Sequence, residues 1–166
     1  MSLVLGAIAV PALLAGLDRA RTLAAARHLA ARMTLARAQA VTRGVYVALR
    51  FTDDNGVIVI RPYADGNGNG VRTKDITNGV DRPLEPASAL RDLFPGVNIQ
   101  APPGGDAVQF GAGDLVSFAP IGTATSGSVY LQGRDGSRYA VRVLGATART
   151  RVLHYDPARR DYVEMR

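Results

Sequence analysis

The sequence contains no cysteine. Disulfides, thiolate metal sites and cysteine nucleophiles are therefore excluded, while the compartment stays open, because exported chains also do without cysteine. Histidine is scarce: His28 and His154 lie far apart, and no HxxH-type pair exists to start a metal centre. No Gly-x-Ser-x-Gly elbow is present. Gly66-Asn-Gly-Asn-Gly70 is not followed by an apolar helix, so it is no phosphate-cradling loop. Asp53 and Asp54 are adjacent acids in a turn, where carboxylates are ordinarily solvated. These absences point away from an enzyme, and no small-molecule substrate is expected.

A full membrane-crossing run is also missing. Leu3 to Leu17 is almost wholly apolar and uncharged, but it falls short of the roughly 18–20 residues a span needs. No basic stretch precedes it, so it is a poor secretory signal. The run does not stop in a turn. It passes into an alanine-, leucine- and arginine-rich segment of strong helix formers that ends at Gly44, a natural helix stop just past Arg43. The spacing predicts one helix of about 40 residues, roughly 60 Å long. Pro11 is expected to kink or break it locally. Two apolar rows run along it. Leu13, Leu17, Ala20, Ala24, Ala31, Leu35 and Ala38 form the first, which Arg27 interrupts; Leu29, Met33, Ala36 and Ala40 form the second. A small domain offers nothing for the first half to pack on, so that half needs a membrane or similar helices beside it.

Glycine is plentiful, with 18 residues, mostly beyond Gly44, which suits many short strands joined by turns. Gly44–Phe51 and Val57–Tyr63 read as strands flanking an Asp53-Asp-Asn-Gly56 hairpin turn. Ser128–Gln132 and Arg138–Leu144 flank Arg134-Asp-Gly136 in the same way. Val97–Gln100, Ala107–Phe110, Leu115–Phe118, Arg151–Tyr155 and Tyr162–Met165 are further short strands, with a helical turn over Ala87–Leu93 and a loop at Pro102–Gly105. The fold class is α+β: residues 1–43 a helix, residues 44–166 an antiparallel sheet or sandwich head. Leu23 to Val41 is expected to lie across the sheet and bury Leu29, Met33, Leu35 and Val41, with Val47 and Leu49 meeting it from β structure.

The formal net charge is +6 and unevenly spread. Six arginines between Arg19 and Arg43 face one acid, Asp18, and the last part of the chain is basic again. A basic stem and tail suit anionic lipid or nucleic acid, or serve as a solubilising surface. Asp65-x-Asn67-x-Asn69-Gly70 matches the opening of a calcium loop, with Asp75 near the position where the closing glutamate belongs and Ile76 in it. The other reading is a glycine-rich turn in which Asp and Asn tolerate left-handed geometry. No other cofactor is expected.

Three stretches, in order, make the chain resemble the type IV pilin-like family, specifically the GspH/FimT group of minor pseudopilins. They are Leu3–Gly44, with Val10-Pro11-Ala12 and the ending Leu35-Ala-Arg-Ala-Gln-Ala-Val-Thr-Arg-Gly44; Tyr63-Ala-Asp-Gly-Asn-Gly-Asn-Gly70; and Val116-Ser-Phe-Ala-Pro-Ile-Gly122 followed by a strand pair and Ala148-Arg-Thr-Arg151. The resemblance implies a non-enzymatic subunit of a type II secretion pseudopilus or a type IV pilus. It implies other pilin-like subunits as partners, and an inner-membrane helix with a periplasmic head before assembly into the filament. Leu3, Leu5, Ile8, Pro11, Leu13, Leu14 and Leu17 would then form the filament-core helix surface. The family opens with a basic leader, a glycine and an apolar start containing glutamate. Here the chain opens Met-Ser-Leu-Val-Leu-Gly, as though about ten family residues came before it, and the Leu3–Leu17 stub would anchor weakly. Ala148-Arg-Thr-Arg151 is similar to a Gly-Arg-x-Arg signature with which some pilus members touch DNA. Arg149 and Arg151, with Arg159 and Arg160, are the nucleic-acid contacts that likeness implies; a solvated, charged edge strand is the alternative.

Overall fold

The computed structural model describes residues 4–165, with side chains described over 14–111 and 113–165. Helix α1 (Val4–Arg43) is followed by strands β1 (Val47–Asp54) and β2 (Val57–Ala64), a short helix α2 (Thr73–Thr77), β3 (Arg82–Pro83), β4 (Ser88–Ala89), and a turn of helix α3 (Leu90–Leu93). Strands β5 (Asn98–Ile99), β6 (Val108–Gln109), β7 (Leu115–Phe118), β8 (Gly127–Gln132), β9 (Arg138–Leu144), β10 (Arg149–Asp156) and β11 (Asp161–Glu164) complete the chain. The helix stops where Gly44 takes a φ of 67°, a conformation in which glycine carries no Cβ penalty. Helical structure continues through Pro11 without the expected break. Proline there removes a single N–H from the ladder, and the residues on either side keep theirs.

The strands form two antiparallel sheets. One runs β3-β2-β1-β7, with β4 sharing the β3 edge of β2; the other runs β11-β10-β9-β8-β5, with β6 sharing the β5 edge of β8. Both anticipated hairpins are present. In the first, Asn55 and Gly56 take φ values of 53° and 80°, the pair of left-handed residues that a two-residue turn between twisted strands requires. The segment after β7 links the sheets. Thr125 donates its N–H to the Ser117 carbonyl of the first sheet, and Ala124 donates to the Gly145 carbonyl just past β9 of the second.

Helix α1 lies over both sheets, and one core fills the space between them. Ala25, Ala26, Leu29, Met33, Ala36 and Ala40 meet Val47, Leu49, Phe51 and Ile60 from the first sheet and Val129, Leu131, Val141 and Val143 from the second. Phe51 stacks on Phe110 at 6.2 Å within it. Val47 and Leu49 point inward as the alternation requires, while Ala48 is buried on the opposite face under Tyr63 and Val71. Arg32 fastens the helix to the first sheet by a 2.7 Å hydrogen bond to Ser88 Oγ and a 3.5 Å ion pair with Glu85.

The buried helix face is the second row of the sequence pattern, extended back to Thr22. The first row faces outward: Ala20, Ala24, Ala31 and Ala38 are exposed. Leu35 and Val41, expected in the core, are 51% and 53% exposed. Helix geometry gives the reason. At 100° per residue Leu29, Met33, Ala36 and Ala40 cluster within about 60°, whereas Leu35 and Val41 lie about 120° to either side of Leu29. Ala25, Ala26, Ala36 and Ala40 let the backbone sit close to the sheets around Leu29 and Met33, which fill the space between.

Candidate functional site

The outward face of α1 is the first surface with an unmet physical demand. Leu14 and Leu17 are 56% and 52% exposed; from Leu17 a row runs through Ala20, Ala24 and Ala31 to Leu35, and Val41 is exposed on the opposite flank of the outer side. Leu3 lies outside the described residues, as do the side chains of Leu5, Ile8, Pro11 and Leu13. One exposed charge, Arg27, falls within this face, and Arg21 is held to Asp18 at 2.8 Å. Among the described residues no helix is long and apolar enough to cross a membrane.

The Asp/Asn/Gly loop is built around two buried carboxylates. Asp65 Oδ1 accepts the N–H groups of Asn67 and Gly68 at 3.0 and 2.8 Å, and its Oδ2 accepts that of Gly70 at 2.8 Å. Asp81, only 1% exposed, accepts from Gly66 and Arg72 at 3.1 and 2.9 Å. Five backbone donors that β pairing leaves free are thereby satisfied, as buried carboxylates demand. Of the four residues singled out for calcium, Asn67 and Asn69 are exposed, with Asn67 Oδ1 accepting from Asn69 N–H at 3.3 Å. The Asp75 carbonyl accepts from Val80 and Asp81. Among the described residues no group of three or more His, Cys, Asp or Glu converges as metal ligands would. Gly66 is required by space: a Cβ there would lie 2.0 Å from the Val80 carbonyl oxygen.

The outer face of the second sheet collects the basic candidates. Register places Arg151 opposite Arg142 of β9, and Arg149 two residues along on the same face. Arg142, which the sequence reading passed over, therefore joins the cluster. Its Nε donates to Ser128 Oγ at 3.2 Å, and Arg151 pairs with Glu164 of β11 at 2.8 Å. Arg159 and Arg160 stand in the β10–β11 turn, beyond the far end of β10 from Arg149. The seven-residue strand step separates them by roughly 23 Å, so they do not share its patch. Arg159 instead pairs with Asp156 at 3.6 Å. Beside the arginines lies a tyrosine group. Tyr162 sits 5.1 Å from Tyr130 and 5.3 Å from Tyr155, and the Arg138 guanidinium covers Tyr155 at 5.1 Å. Burial pushes the Tyr162 phenol above its ordinary range, with the Arg138 charge opposing. Ala148 holds the glycine place of the arginine signature at a φ of 49°, in the left-handed region, with its Cβ buried.

A family description of type II transport protein GspH matches residues 25–147. The match opens within the buried face of α1 and ends before β10, so Arg149, Arg151 and the last hairpin lie beyond it. No curated protein and no solved structure matches the chain.

Proposed function

The chain belongs to the GspH family of type II transport proteins, and we propose that it serves as a non-enzymatic minor pseudopilin, assembled beside other pilin-like subunits in a secretion filament. The observation that carries this reading is the two-sided helix. One face of α1 is fully used inside the head, and outside it Leu17 and Leu35 share one row, with Leu14 and Val41 exposed on its flanks, all at about half exposure. Apolar surface of that extent along a projecting helix calls for a neighbouring helix or lipid. In this reading residues 1–43 form the helix and 44–166 the head. The helix is held in the inner membrane before assembly, the head stands in the periplasm, and the outer face of α1 meets neighbouring subunit helices in the filament. Replacing Leu17 and Leu35 together by glutamate in the complete gene tests it. Secretion should be lost while the purified protein keeps its circular dichroism, since neither residue enters the core. Normal secretion by that variant would overturn the proposal.

A second reading, nucleic-acid contact by a pilus subunit, is favoured by one feature: Arg142 and Arg149 share a sheet face with three tyrosines, and arginine beside aromatic rings suits a single strand. Electrophoretic shift at two salt concentrations tests it. Binding should weaken steeply with salt and fall in Arg142→Gln with Arg149→Gln. Binding that neither salt nor those substitutions change would remove this reading.

A further inference from the structure

Where α1 leaves the head there is an open cavity of about 530 Å³, within the size range of small-molecule sites. It lies between the first residues of the helix that approach the head and the end of the second sheet; it lies apart from Arg142 and Arg149 and shares Arg138 and Tyr155 with the edge of the tyrosine group. Arg19 reaches it from the helix, Asp135 and Arg138 from the β8–β9 turn and the strand after it, and Tyr139, His154 and Tyr155 from β9 and β10.

The polar groups are of one useful kind. Neither arginine has a carboxylate partner among the described residues. Arg138 rests on the Tyr155 ring, which leaves its N–H edges free. Among the described lining residues the carboxylate is Asp135, whose Oδ1 accepts from the Ser137 hydroxyl at 2.6 Å and the Ser137 N–H at 3.2 Å. Two arginines against one carboxylate leave the described lining net positive. At the Tyr139 phenol burial pushes the pKa up, the Arg19 charge opposes it, and the Asp135 charge adds to the upward push. His154 has Nδ1 buried without a hydrogen-bond partner. An unpaired buried acceptor is less costly than an unpaired buried N–H, so Nδ1 is the bare nitrogen and Nε2–H is the donor His154 has to offer. Guanidinium forks, an imidazole N–H and a phenol O–H around a positive cavity match the acceptor oxygens of a phosphoryl group.

Position identifies the carrier. Arg19 follows the uncharged Leu3–Leu17 run by two residues. With that run in lipid, the cavity stands at headgroup level, where tyrosines concentrate and basic side chains draw anionic lipids. We propose that this cavity binds a phosphoryl group, and that the group is the headgroup of an anionic phospholipid, which holds the base of the head at the membrane surface. The inference rests on the membrane-inserted stage of the reading above, and it adds the ligand of that stage.

The test uses the full chain in neutral detergent micelles, titrated with short-chain phosphatidylglycerol, with short-chain phosphatidylcholine and with inorganic phosphate, following the His154 imidazole signals by NMR. Phosphatidylglycerol should move them saturably, phosphatidylcholine should bind at least tenfold more weakly, and Arg19→Gln and Arg138→Gln should each weaken phosphatidylglycerol binding at least tenfold. Remote methyl signals such as those of Val47 and Leu49 report that both variants stay folded. Saturation by inorganic phosphate without phosphatidylglycerol would keep a phosphoryl site and overturn the lipid carrier. Equal binding of both lipids, unchanged binding in both variants, or no movement of His154 would overturn the proposal. The wild-type chain separates this idea from its premise: one that supports secretion yet binds no phosphatidylglycerol sinks the headgroup site alone, and one that binds it but never assembles sinks the filament reading alone.

Discussion

Met33→Ala and Leu35→Ala are two truncations two residues apart on α1 that the fold separates in energy. Met33 is fully buried in the core that both sheets share. Truncating such a methionine costs about 2–5 kcal/mol, from lost transfer energy and from the cavity left behind. Leu35 is 51% exposed. At about 25 cal/mol per Å² its half-buried side chain contributes on the order of 1 kcal/mol, and alanine's higher helix propensity returns part of that. In a protein of this size each kcal/mol moves the thermal midpoint by about 2–4 °C, so Met33→Ala should lower it by roughly 6–12 °C for a 3 kcal/mol loss. Leu35→Ala should shift it by roughly 3 °C or less. Urea unfolding of both proteins, with m-values compared to confirm that the unfolded states match, reads the difference directly. Equal destabilisation by the two, or a larger effect from Leu35→Ala, would show that the helix is rotated from the face described.

Gly66→Ala should be among the most damaging loop changes, because its Cβ would meet the Val80 carbonyl; thermal unfolding should show a loss of several degrees, and an unchanged midpoint would contradict the close approach. Calcium and a chelator should move the midpoint of the wild type by less than about 1 °C, since both Asp65 oxygens already accept backbone N–H groups. Burial, then the nearby Arg32 charge, lowers the His28 pKa from its ordinary value of 6.5. The folded state thus binds this proton less readily than the unfolded state, so its share of stability is present above 6.5 and is lost as pH falls below that toward the folded value. NMR titration should give a midpoint below 6.5 that Arg32→Gln raises only in part, because burial is the larger cause; full return to 6.5 would contradict that order. Removing residues before Asp18 should leave a folded head, whereas removing them through Val41 should strip the core of Leu29 and Met33 and cause aggregation.

Local chemistry made much of this fold readable. Gly44 ends the helix, Asn55-Gly56 and Asp135-Gly136 turn the hairpins, and alternation about Val47 and Leu49 assigns the inner face of β1. The helix face was harder, because in an alanine-rich segment two rows of small and apolar residues carry nearly the same pattern. The choice between them comes from how closely Ala25, Ala26, Ala36 and Ala40 let the helix approach two sheets. That the strands split into two sheets depends on pairings between segments distant in sequence, and no local signal encodes them. Asp81 reaches Gly66 only because the chain returns it there, fifteen residues on, which no local signal encodes. Arg142 joins Arg149 and Arg151 only through the β9–β10 register, and the same register, with the length of β10, sets Arg159 and Arg160 apart.

The central claim is that the outer face of α1 meets other subunit helices. A photoreactive phenylalanine analogue at Leu17 or Leu35, irradiated in secreting cells and mapped by mass spectrometry, tests it most directly, with Thr52 on the outer side of the first sheet as the comparison site. The account predicts adducts from Leu17 and Leu35 on the N-terminal helix of another pilin-like subunit, and far fewer from Thr52. Secreting cells in which Leu17 and Leu35 give no subunit adduct, or in which Thr52 gives the same helix adduct as strongly, would contradict it.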